Sequence, residues 1–386
     1  MRREIVTEFA LVTRCPRHFT PPMRVIILTA GYGEGHNAAA RGLHAAFLEL
    51  GHESEIADLF AVTGGAFYEH SRRAYIELIN RAPQVWAFVF RLIDRFPLVQ
   101  FSLPALAEMQ RALAGLIAAR KPGAVVSVYP VYGYLVERLY PCRGDRAFAF
   151  HTIVTDSITI NSVWHRCASD TFLVPNEDSA RVMRANGVAG RIHALGFPVP
   201  PRFADARPPR PSPGEGTLPR VLYMINAGRE LAPAIVARLL RIEGIHLTVT
   251  VGRDELLRAR LEAVASAAGK ALELHGWTDR MPELVMSHHV LIGKAGGATV
   301  QEAIAARTPM LITQVVPGQE EGNAQLLFDN RCGALCATPE AIAAQVGALF
   351  ADGAAQWRRW EANIARLSKP DAARDIARFI VGEVAD

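Results

Sequence analysis

The chain has no apolar run approaching the roughly 18 to 20 residues that a membrane-spanning helix requires, so membrane involvement is expected to be peripheral. Cysteine is scarce and scattered: Cys15, Cys142, Cys167, Cys332 and Cys336 are odd in number, and Cys332-x-x-x-Cys336 lacks a second pair. A zinc site would therefore have to recruit distant ligands, and reduced thiols in a cytoplasmic protein are the expectation. The formal charge is only +4, and no basic run interleaved with aromatics is present, which argues against a nucleic-acid partner. Neither a Walker A sequence nor the dinucleotide G-x-G-x-x-G occurs. No carboxylate cluster asks for a metal, so metal-independent chemistry is expected. The N-terminus carries Glu4 and Glu8 among its basic residues and has only short apolar runs, unlike a signal peptide. Residues 1–22 read as an extension before the first strand.

What is present is an ordinary globular balance, 50% apolar and 21% charged, over 386 residues, enough for two domains with a full core each. Apolar strand candidates (24–30, 124–129, 148–154, 171–174 and 192–195) alternate with helical stretches such as 37–50 and 176–186. This predicts an α/β protein with parallel sheets covered on both faces. Eight prolines then fall between Phe197 and Pro219, in a stretch with few core-forming residues, and mark a linker. The alternation restarts with strand candidates at 220–226, 245–251, 271–275, 289–292 and 310–313. The expected organisation is a first domain over 23–200, a linker over 201–219 and a second domain over 220–356. Two doubly wound domains place their ligand loops at the carboxyl ends of the strands, on either side of one cleft.

Three loops carry the chemistry. Gly293 to Glu302 joins a strand to a helix with small residues (Gly296, Gly297, Ala298) and the hydroxyl of Thr299, allowing a phosphate to approach unpaired helix N–H groups. Glu302 in the same segment is an acceptor suited to paired ribose hydroxyls. Pro317 to Asn323 presents Gln319, Glu320 and Asn323, side chains suited to sugar hydroxyls; the plainer reading is a helix cap with Glu321 as a first-turn acid. In the first half, Gly31, Gly33 and Gly35 open a turn ending at His36. A helix start disfavours the imidazolium, so His36 suits a general base or, more plainly, a structural histidine. Asp156 follows another strand at the same sheet edge, where it orients a base or meets the acceptor. Trp164 is either core or ligand platform.

The segment from Tyr68 to Phe101 mixes five arginines with aromatics. On a helix, Val85, Trp86, Phe88, Val89, Leu92, Ile93 and Phe96 form one apolar face, with Gln84, Arg91, Asp94 and Arg95 opposite. Such a helix rests in a lipid interface or packs on its own sheet.

Taken in order, 28–36 (LTAGYGEGH), Thr155-Asp156-Ser157 with Trp164, 293–302 (GKAGGATVQE) and 317–323 (PGQEEGN) resemble the monogalactosyldiacylglycerol synthases and processive diacylglycerol glucosyltransferases. These group with the transferase that adds N-acetylglucosamine to lipid-linked muramyl-pentapeptide. The resemblance spans roughly 24–367. It implies two Rossmann-like domains facing across a cleft, the GT-B glycosyltransferase arrangement, and inverting transfer of a hexose from UDP-galactose or UDP-glucose to a diacylglycerol-like lipid. By that resemblance Glu302 binds the uridine ribose, and Gly296, Gly297, Ala298 and Thr299 lie against the diphosphate. Gln319 and Glu320 hold the hexose, with Asn323 in the same donor loop. Gly35, His36, Asp156 and Trp164 form the acceptor side, with His36 as base or as a contact for anionic lipid. The family's terminal helix crosses back onto the first domain, a role open to residues 357–386. Its first domain meets an anionic membrane, which implies a peripheral protein on the cytoplasmic face. Ile225 to Glu230 departs from the pattern, because relatives carry several glycines where Asn226 and Arg229 stand here. A UDP-sugar epimerase and a non-catalytic nucleotide- or lipid-binding protein are the rival readings.

Overall fold

The computed structural model of the protein describes residues 22–188, 190–205, 210–214 and 216–382, so the expected N-terminal extension lies almost wholly outside it. The first sheet holds β1 (Arg24–Leu28), β2 (Glu53–Ala57), β3 (Ala124–Ser127), β4 (Ala149–Ile153), β5 (Thr171–Leu173) and β6 (Arg191–His193), in the order β2-β1-β3-β4-β5-β6. The second holds β7 (Arg220–Met224), β8 (His246–Thr250), β9 (Glu273–His275), β10 (Val290–Lys294), β11 (Met310–Gln314) and β12 (Gly333–Leu335), in the order β12-β11-β10-β7-β8-β9. Every pairing is parallel. Central strands such as β1 and β10 are buried on both faces, which is why they read as unbroken apolar runs. Two strands escaped the sequence reading. β2 (ESEIA) and β12 (GAL) are edge strands that need no continuous apolar run.

The two halves share a core. Leu43 and Phe47 of helix Glu34–Glu49, Val300 and Ile304 of helix Gly297–Ala305, and Ile376 and Ile380 of helix Ala372–Val381 belong to one buried cluster. The Pro-rich connection also joins it, although the sequence reading expected a linker with few core-forming residues. Phe203 is fully buried within that cluster, and Arg210 straps the connection to the second half through Thr308 Oγ1 (2.7 Å) and the His288 carbonyl (3.1 Å). Proline spacing reports stiffness, not exposure. Trp357, at the start of the stretch expected to cross back, is instead buried in the second half, where its indole N–H donates to the His289 carbonyl at 2.6 Å. The packing onto the first half comes from helix Ala372–Val381, set against helix Glu34–Glu49.

Candidate active site

In the first sheet the chain leaves β1 towards β2 on one side and returns to β3 on the other, so the crevice between β1 and β3 is a topological switch point. The loop after β1 fills it. The Gly31 N–H donates to Asp58 Oδ2 (3.0 Å) and lies 3.1 Å from the Tyr68 hydroxyl, and a methyl at Gly31 would overlap that hydroxyl. The following helix begins at Glu34, three residues earlier than the alanine and leucine content suggested, so His36 lies in its first turn. Its Nδ1 stands 2.8 Å from the Val128 carbonyl, just after β3, and 3.1 Å from Thr155 Oγ1. A carbonyl only accepts, so Nδ1 carries the proton and Nε2 the lone pair, and Nε2 has no protein partner among the described residues. Burial pulls the His36 pKa down to about 4 against the carbonyl bond. The leading cause of its neutrality is thus desolvation, in place of the helix dipole expected from sequence.

Asp156 sits at the same edge, after β4. Burial pushes its carboxyl up to about 6, opposed by the Trp164 indole N–H, which donates to Oδ2 at 2.7 Å, and reinforced by the charge of Glu320. Trp164 is 1% exposed, with its ring centroid 5.9 Å from that of His36. It is therefore a buried partner of His36 and Asp156, and not an open platform for an acceptor.

The second sheet has its own switch point between β7 and β10. Asn226, after β7, accepts from the Lys294 backbone N–H (3.1 Å) and donates to Thr299 Oγ1 (3.4 Å). Helix Gly297–Ala305 has Gly296 as its N-cap, so no side chain caps its first N–H groups. Glu320 is engaged within its own half, its Oε1 paired with Lys294 Nζ at 2.7 Å and its Oε2 accepting from the Val316 N–H at 3.0 Å. Asn323 is buried and donates to the Ala295 carbonyl (3.2 Å), which makes it a tie between loops in place of the sugar contact expected; its Oδ1 has no partner among the described residues. Burial lifts Glu302 to about 7, opposed by Arg41 and reinforced by Glu34, both on helix Glu34–Glu49 of the first half.

These two edges meet. A methyl at Gly35 would lie 3.8 Å from the Ala298 nitrogen, and one at Gly297 would lie 3.1 Å from the Thr155 carbonyl oxygen. At Gly322 it would overlap the Ser157 carbonyl oxygen. Gln301 Nε2 donates to Ser157 Oγ at 3.0 Å, and the Tyr75 hydroxyl donates to Gln319 Oε1 at 2.9 Å. Glycines of the second-half loops therefore serve close approach between the halves. Among the described residues, no group of three or more His, Cys, Asp or Glu stands ready to hold a metal ion, and the four described cysteines are free.

A family model described as monogalactosyldiacylglycerol (MGDG) synthase matches residues 36–199. The chain is 27% identical over 373 residues to a probable chloroplastic monogalactosyldiacylglycerol synthase of Nicotiana tabacum, covering 91% of this chain and 69% of the relative. It is 24% identical over 341 residues to the processive diacylglycerol beta-glucosyltransferase of Bacillus subtilis (strain 168), covering 85% and 87%. The chain resembles the monogalactosyldiacylglycerol synthases. Its fold matches that of Acinetobacter baumannii MurG (TM-score 0.61, 13% identity, 93% of this chain and 99% of that one). It also matches CalG4, the calicheamicin glycosyltransferase (0.57, 15%, 95% and 100%), and the Staphylococcus aureus MnaA–UDP complex (0.59, 10%, 94% and 98%). Two parallel six-stranded sheets with their loop edges facing are the GT-B arrangement.

Beyond the residues this family resemblance singled out, the structure adds an aromatic wall. Tyr32 makes ring contacts with Phe60, Tyr68, Tyr75 and Tyr129, and Tyr129 meets the His36 ring edge-on at 5.0 Å. Tyr129 ends a predicted strand and Tyr75 sits in the segment read as interfacial, so neither was tied to the site. Asn226 was visible only as a departure from the family pattern, yet it joins the end of β7 to the loop after β10.

Proposed function

We propose that the protein is an inverting glycosyltransferase that moves a hexose from a UDP-sugar to the hydroxyl of diacylglycerol or a similar lipid. The observation that carries this reading is the meeting of two switch points. One presents His36 Nε2 and the Asp156 carboxylate; the other presents the uncapped start of helix Gly297–Ala305. The lipid hydroxyl, deprotonated as it attacks, reaches the anomeric carbon from the face opposite UDP. Helix-end N–H groups and the Lys294 ammonium stabilise the charge developing on the leaving diphosphate. Glu302, once ionised, accepts from the ribose hydroxyls. The names of the relatives, synthases of monogalactosyldiacylglycerol and a diacylglycerol glucosyltransferase, support diacylglycerol as acceptor and a hexose as cargo.

The same reading lays the first half on an anionic membrane, peripherally and from the cytoplasmic side. In support, Val85, Phe88, Phe96 and Phe101 are exposed on helices Pro83–Arg95 and Leu98–Ser102 and their junction, with Arg81, Arg91 and Arg95 exposed beside them. Among the described residues no helix is long and apolar enough to cross a membrane.

Incubation with radiolabelled UDP-galactose and UDP-glucose, with and without diacylglycerol liposomes, tests the proposal. Labelled glycolipid formed only with liposomes is the expected result. An altered sugar nucleotide formed without lipid would establish an epimerase instead. Nucleotide binding without turnover on a broad set of lipid alcohols would leave a sensing protein.

A further inference from the structure

Gln319 and Glu320 are neighbours in one loop, yet different halves of the molecule satisfy them. Lys294 and the Val316 N–H hold Glu320 from its own half. Gln319 takes its hydrogen bond from Tyr75, on helix Gly65–Arg81 of the other half. The loop is seated against the other half. Gly318 turns it with φ +81°, and a Cβ there would meet the Phe90 ring at 2.9 Å. The Tyr75 ring is fixed by edge-on contacts with Trp86 (centroids 5.0 Å apart) and Tyr32 (6.1 Å). Its hydroxyl lies in the field of Asp156 and Glu320, and burial with those charges lifts its pKa to about 12 against the Gln319 bond. It therefore stays protonated.

A hydrogen bond at one end of an amide fixes where the other end lies. The two ends of a glutamine amide are nearly equal in shape and opposite in hydrogen-bonding sense. With Oε1 taken by Tyr75, Nε2 is left facing away; it has no protein partner among the described residues and remains open to solvent. We propose that Tyr75 is a positioning residue for the transferred hexose: its hydrogen bond holds the Gln319 amide in place, so that the free end of the amide meets a sugar hydroxyl. The inference rests on the reading of Gln319 as a hexose contact and adds that its placement, and with it discrimination between hexoses differing at one hydroxyl, is set from the acceptor half.

Tyr75→Phe keeps the ring contacts and removes only the hydroxyl. The expected result is a KM for UDP-hexose raised about fivefold, the size of one hydrogen bond. The ratio of kcat/KM between UDP-galactose and UDP-glucose should move towards one, with the dissociation constant for UDP unchanged. Gln319→Ala should do the same, and Tyr75→Phe added to it should cost nothing more. Unchanged KM and ratio in Tyr75→Phe would overturn the proposal. So would additive losses in the double variant, or an equal loss of UDP affinity, which marks a merely structural role. Calorimetry of UDP against UDP-hexose gives the same comparison without turnover. A wild-type protein that transfers nothing to lipid but binds UDP-hexose more tightly than UDP, with the difference lost in Tyr75→Phe, would sink the transferase reading and leave this one standing.

Discussion

In the proposed transfer, His36 and Asp156 would divide the work of a base. Burial leaves His36 neutral above about pH 4, so it is ready to accept a proton at any ordinary pH, though as a weak base. Asp156 is ionised only above about pH 6, closer to the working range of a general base. Desolvation is the leading cause of both shifts, and it lowers an imidazole while raising a carboxyl. Two outcomes are expected. His36→Ala should reduce kcat by a factor on the order of 10² to 10⁴ while the KM for the donor stays near its original value; unchanged turnover in a folded variant removes it as base. At saturating donor, where Glu302 is already engaged, the pH profile of kcat should rise through a limb near pH 6, and Asp156→Asn should erase that limb and leave only the one near pH 4. Persistence of the limb near pH 6 in that variant would assign it elsewhere. His36 was legible in sequence because three glycines set it at a strand-to-helix turn. Its Val128 partner was not, because a backbone carbonyl ninety-two positions away leaves no signature in residue types.

At the level of elements, helix Pro83–Arg95 shows how far an amphipathic pattern can be trusted. Its spacing predicts one apolar face, whereas the structure divides those residues between two surroundings. Trp86 packs on Tyr75, while Val85 and Phe88 remain exposed, at 53% and 64%. Asp94, assigned to the outer face, accepts from the Ser162 N–H at 2.7 Å and anchors the helix to the loop that carries Trp164. Periodicity reports which residues share a side, but not whether protein or lipid covers that side. Phe88→Ser with Phe101→Ser should lower the fraction bound to anionic vesicles severalfold, with little change in Tm because both rings are exposed. Retained vesicle binding measured by sedimentation would exclude this face as the membrane contact.

Across the whole molecule the two-sheet architecture was legible, because parallel strands buried on both faces read as apolar runs. The closeness of the halves was not. Gly322 appears in sequence as one more glycine beside a polar loop, yet its missing Cβ is what allows the Ser157 carbonyl to approach. Gly322→Ala should hold the halves apart: UDP binding by the second half should survive while transfer falls at least tenfold, as measured by calorimetry beside single-turnover assays. Full transfer activity would show that the halves need not come this close. Helix Ala372–Val381 has a consequence of a different kind. Its Ile376 and Ile380 complete the apolar surround of Leu43 and Phe47, residues translated more than three hundred positions earlier. On the ribosome the first half must therefore wait, its helix Glu34–Glu49 uncovered on one side, until the whole second half has emerged. Order of synthesis and order of completion run in opposite directions, and a nascent chain stalled before residue 372 would offer chaperones the very face that the finished protein hides.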